Sequence, residues 1–150
     1  MAVTVNKQRF SLSLGGDWEE TASSDPEITR FSSRQHAANL VISTLALNAK
    51  LADTGRIAEK LSELRMDSET QVAAETGIDV TIARPKIVQQ PWGHAIAYYG
   101  ADANGRRFNF SGLVTPKQSI SVYAESSKLG EEVLRELLEQ VLAKLKFDLA

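Results

Sequence analysis

The sequence predicts an α+β fold: an antiparallel β-sheet with a C-terminal three-stranded meander, covered by a central helix and a C-terminal amphipathic helix. Three stretches predict it. Residues 94–126 alternate apolar and polar side chains through three runs separated by turn formers. From about Asp53 to Ala74 the period lengthens to that of a helix, with Ile57, Leu61 and Leu64 at i, i+4 and i+7. Glu131 to Phe147 carries Leu134, Leu137, Leu138, Val141, Leu142 and Leu145 on one stripe.

The elements follow in order. Phe10, Leu12 and Leu14 alternate within residues 8–14, a strand turned by Gly15-Gly16-Asp17. Trp18 after that turn is either a lid over the end of the sheet or an exposed binding anchor. Residues 20–26 read as a polar loop. Ile28 to Ser32 and Leu40 to Leu47 are strands, joined by a link over 33–39 that reads as a mobile, contact-bearing loop. Both faces of LVISTLAL are apolar enough for a strand covered on both sides.

In the central helix, Asp53 or Thr54 is placed to cap the first amides, and Gly77 to close the C-terminus. The helix is expected to weaken near Asp67-Ser68. Ile78 to Arg84 is a strand that Pro85 must end, bulge or hold at an edge. Lys86 to Gln90 is free to resume pairing, and Pro91-Trp92-Gly93 leads into the meander.

The meander runs His94 to Tyr99, Arg107 to Val114, and then a third strand around Ile120, Val122 and Ala124. Asn104-Gly105 marks the first hairpin, because both residues accept the positive φ that tight turns need. In the last helix Glu131 and Glu132 sit at the positive end of the macrodipole, and Lys144 and Lys146 at the negative end.

Composition narrows the function. A chain of 150 residues reads as one domain over 1–150 with a sizeable core. The net charge of -2, with no cluster of more than two basic residues, argues against nucleic acid as partner. There is no Cys, hence no disulfide framework and no thiol nucleophile. The N-terminus lacks the pattern of a secretory signal, and no apolar run approaches the ~20 residues of a membrane helix. The expectation is a soluble, cytoplasmic protein.

Chemistry is hard to place. The two histidines, His36 and His94, fall in different elements without a second ligand at useful spacing, so neither a metal site nor a cofactor is expected. No GxSxG, HExxH or phosphate loop occurs. Asp102-Ala103-Asn104-Gly105 resembles the start of a calcium loop, but Leu113 stands at its twelfth position. The chain is therefore not expected to be an enzyme. What remains is surface: Trp92, Tyr99, Arg106, Arg107 and Tyr123 combine the arginine and aromatic residues that protein interfaces favour. The plain alternative is a solvated strand end that protects a sheet edge.

The order of elements, with Phe10 to Trp18 opening the chain, the Gly93-His94-Ala95 step into the meander and Ser126-Ser127 before the last helix, resembles the PsbP-like superfamily. That superfamily includes the import factor Mog and small bacterial secretion-associated proteins. Gly15-Gly16 replaces the Pro that members often carry before the first Trp. The resemblance implies a binding protein without catalytic residues. It points to an adaptor or chaperone for a secreted effector, or to an immunity protein against a toxin. A carrier of a small apolar ligand is the second expectation, requiring a cavity of several hundred Å³. An enzyme of unrecognised type is the third, requiring a histidine near a carboxylate in a cleft.

Overall fold

The computed structural model describes residues 3–147. β1 (Val3–Asn6) and β2 (Phe10–Leu14) form a hairpin, and β11 (Lys146–Phe147) pairs with the other edge of β2. The main sheet has eight strands: β3 (Glu19–Thr21), β4 (Ile28–Ser33), β5 (Ala38–Ala46), β6 (Val80–Ile82), β7 (Lys86–Gln90), β8 (Gly93–Asp102), β9 (Arg107–Val114) and β10 (Gln118–Ser126). Its order is β3-β4-β5-β10-β9-β8-β6, with β7 also on β8, and every pairing is antiparallel. A 3₁₀ turn, Leu51–Asp53, leads into α1 (Thr54–Thr76), and α2 (Glu131–Lys144) follows β10. The predicted α+β class and its terminal meander are what the chain forms.

The two helices lie on opposite faces of the main sheet. Alternation along each strand sends Ile120, Val122 and Ala124 of β10 to one face, with Phe31, Leu40 and Ile42. Leu134, Leu138 and Val141 of α2 and Phe10, Leu12 and Leu14 of β2 close over them. The other face carries Ile96, Tyr98, Phe108, Phe110 and Val114, and α1 lays Ala58, Ile57 and Leu61 on it. Burying side chains such as Phe31 and Phe108, at 1% and 0% exposed, contributes about 2–3 kcal/mol each.

Several expectations are corrected. The last helix stops at Lys144 rather than Phe147, because the open edge of β2 takes Lys146 and Phe147 opposite Ser11 and Phe10. Glu20 and Thr21, read as part of a polar loop over 20–26, belong with Glu19 to a strand that pairs with β4, from Glu19↔Ser32 to Thr21↔Arg30. α1 runs unbroken past Asp67-Ser68. Neither Asp53 nor Thr54 caps its first amides; Thr54 Oγ1 instead donates to Leu51 O at 2.8 Å. Gly77 does close the helix, in the left-handed region. The link over 33–39 shortens to a turn. It is pinned by Asp17, which accepts from the Ser33 hydroxyl and the Gln35 amide, and by Ser126 Oγ, which donates to His36 O. Trp18 is buried in the core, its ring 6.1 Å from that of His36. Pro85 divides an edge: β6 pairs with one end of β8 and β7 with the other.

Candidate functional site

Sequence register builds the site from small residues. One row across the sheet reads Ile28, Ser43, Ser121, Gly112, Ile96, from β4 through β5, β10 and β9 to β8. The adjacent row reads Arg30, Val41, Tyr123, Phe110, Tyr98. Both rows face α1. The first has little side-chain volume at its centre, the second is bulky, and the difference leaves a trough. An added Cβ at Gly112 would lie 3.0 Å from the Phe110 ring, so glycine there lets Phe110 stack on Tyr98 at 4.8 Å and 12°. The N-terminal half of α1 packs tightly, whereas its C-terminal half overhangs a cleft of about 480 Å³ lined by Glu69, Val72, Ile78, Tyr98, Phe110 and Tyr123 among others. A second hollow of about 220 Å³ continues it beneath Leu61. Arg65 lines both, Nη2 donating to Ser43 Oγ at 3.3 Å.

A polar cluster holds α1 over this cleft. Arg106, just before β9, donates from Nε to Asp102 Oδ2 at 3.2 Å and from Nη2 to Glu69 Oε2 at 2.9 Å. Its Nη1 donates to Glu125 Oε2 and to the Tyr123 hydroxyl, both at 2.8 Å. Tyr123 in turn donates to Glu69 Oε1 at 2.6 Å. The guanidinium also rests 4.9 Å from the Phe108 ring centroid. Burial works against the Asp102 carboxylate, but the Arg106 amide and guanidinium outweigh it and hold the pKa below the usual value. Burial, then the Glu69 hydrogen bond and charge, push the Tyr123 hydroxyl far up, so it stays a neutral donor.

Neither histidine lines the cleft. His94 Nδ1 lies 2.8 Å from Thr54 Oγ1. Since that hydroxyl donates to Leu51 O, His94 supplies the proton, and its ring abuts the first turn of α1 at Gly55. Among the described residues no group of three His, Cys, Asp or Glu is arranged to hold a metal ion.

The sequence matches no protein-family model and no curated protein. Structure is more telling. Cyanobacterial PsbP (CyanoP) from Synechocystis sp. PCC 6803 superposes with a TM-score of 0.67 over 99% of this chain and 92% of that one, at 12% identity. The fold is PsbP-like. A Bacteroides thetaiotaomicron structure matches with a TM-score of 0.49 and 16% identity, over 98% of this chain and 48% of that one.

On this PsbP-like frame the five surface residues read from the sequence do not form one patch: Arg106 meets Tyr123, Tyr99 lies near Arg107, and Trp92 stands apart. Arg106 and Tyr123 face α1 and are spent in the polar cluster. Tyr99 and Arg107 point to the opposite face, beside Glu131 and Leu134 at the start of α2. Trp92 sits in the β7–β8 turn, at the far end of β8 from Arg106, roughly 30 Å away along a ten-residue strand. Tyr99 is half exposed, and so is Val88, in register with Ala95 on the same face. The trough residues Ser43, Ser121 and Gly112 were missed. Their signal is small side chains at aligned positions, visible only once the register is known.

Proposed function

We propose that this chain is a non-catalytic protein-binding module. In our reading it works in the cytoplasm as a Mog-type or secretion-associated adaptor, chaperone or immunity protein, with a secreted effector or toxin as partner. The observation that supports it is the outer face of β7 and β8 on the α2 side. There Val88 and Tyr99 are each 50% exposed, with Ala97 exposed between them in the sheet. α2 packs chiefly on β9, β10 and β2, and its first turn comes near this wing beside Tyr99 and Arg107. Lys86, in register with Ala97, and Arg107, in register with Ala101, add positive charge at its rim. An aromatic and an aliphatic anchor beside an arginine is the composition that carries binding energy at interfaces.

The test is affinity capture from the source cells with tagged wild-type chain and with the V88D/Y99A double variant, both substitutions being at exposed positions. One stoichiometric partner, lost with the double variant, is the expected outcome. A partner retained by the variant, or none with either bait, overturns the reading.

A second reading, a carrier of a small ligand, is favoured by the cleft of about 480 Å³ under α1, which is within the size range of small-molecule sites.

A further inference from the structure

We propose that the trough beneath α1 binds a small amphipathic carboxylate, with its head group on Arg65, Ser43 and Ser121 and its apolar body along Phe110 and Val72. The proposal rests on the carrier reading and names the ligand class. Three observations support it. The first is donor chemistry. Ser43 Oγ accepts from Arg65 and keeps its own proton free, and Ser121 Oγ has no hydrogen-bond partner among the described residues. The two serines are directly opposed across β5 and β10. The floor, half-buried at both serines, therefore offers hydroxyl and guanidinium protons to an acceptor.

The second observation is charge. Neither Arg65 nor Arg30, which both line the cleft, forms an ion pair among the described residues. The acidic groups of the same cleft are instead bound to Arg106. A singly charged carboxylate fits two hydroxyls and one fork-shaped guanidinium. A dianionic phosphate is disfavoured by the neighbouring Glu69 and Glu125.

The third is shape. The 480 Å³ cleft and the 220 Å³ hollow share Ser43, Arg65, Phe110 and Ser121 in their linings, and Arg65 reaches Ser43 through one long contact of 3.3 Å. A hydrogen bond of that length is weak, so a ligand head group displaces it at small cost. Val72, Ile78, Val80 and the Phe110 ring then supply an apolar wall.

The experiment titrates the full chain, wild type and R65Q, with decanoate and with decan-1-ol, followed by amide NMR shifts. Arg65 is exposed, so R65Q leaves the fold intact, and unchanged shifts outside the cleft verify that. The expected result is saturable decanoate binding with shifts at Ser43, Gly112 and Ser121. R65Q should weaken it at least tenfold while leaving decan-1-ol binding unchanged. Binding of decan-1-ol alone, or decanoate binding indifferent to R65Q, overturns the carboxylate assignment and leaves the carrier reading standing. No saturable binding of either probe overturns both.

Discussion

Arg106 Nη2 donates to Glu69 Oε2 at 2.9 Å, tying the β8–β9 hairpin to the C-terminal half of α1 across 37 residues of sequence. Among the described residues Arg106 is the one cation paired with the Asp102, Glu69 and Glu125 carboxylates, so removing it strands three partly buried acids. Arg106→Met is expected to cost about 2–4 kcal/mol, below the full figure for a buried pair because the side chain is 26% exposed. Glu69→Gln leaves the guanidinium on Asp102 and Glu125 and is expected to cost about 1 kcal/mol. Urea unfolding of the two variants checks the ranking; equal losses would mean that Arg106 acts through Glu69 alone.

This cluster also shows where the sequence stops being readable. The three meander strands and the α2 stripe were legible because each follows from a local period, and Asn104-Gly105 marked the first turn, although only Gly105 takes a positive φ and the first strand runs on to Asp102. The Asp67-Ser68 stretch looked like a weak point because its stabilising partner is remote. Glu69 is held by Tyr123, 54 residues away. β11 was hidden for the same reason: Lys146 and Phe147 continue a helical pattern locally, and only the unpaired edge of β2 draws them into a sheet. Arg106 and Arg107 looked like one basic patch in sequence, yet strand alternation sends neighbours to opposite faces. The trough is legible only once register places Ser43, Ser121 and Gly112 in one row.

Adjacent residues of α2 provide a control on the packing. Leu134 is 1% exposed against the sheet and Val133 is 51% exposed. Leu134→Ala is expected to lose about 2–5 kcal/mol through lost burial and a residual cavity. Val133→Ala is expected to be neutral or to gain a few tenths of a kcal/mol, since Ala is the better helix former. Thermal or urea unfolding distinguishes them, and a loss at Val133 comparable to that at Leu134 would contradict this packing of α2.

Acid should act through Asp102. Its pKa is lowered from 3.8 in the folded chain, so the unfolded state takes up protons first as pH falls. The stability that Asp102 contributes is present above 3.8 and is lost progressively below it. Wild type is expected to exceed Asp102→Asn in urea midpoint near neutral pH, and the gap is expected to close as pH drops below about 4. A gap that stays constant down to low pH would show that the Asp102 charge contributes nothing.

Base should act through Tyr123. Burial first, then the Glu69 hydrogen bond and charge, raise its pKa well above 10.0. The unfolded chain therefore loses this proton before the folded one does. Stability from Tyr123 is complete below pH 10 and falls as pH rises beyond it. Tyr123→Phe removes the bonds to Glu69 and Arg106 and is expected to cost about 1–2 kcal/mol at neutral pH. Above pH 10 wild type gives up its advantage while the variant has no phenol at this position to titrate, so the two stabilities are expected to converge. Unfolding curves at neutral and alkaline pH, with phenolate absorbance as a second readout, measure this. A wild-type advantage that persists at high pH would mean that the phenol ionises equally well folded and unfolded, and that Glu69 does not hold its proton.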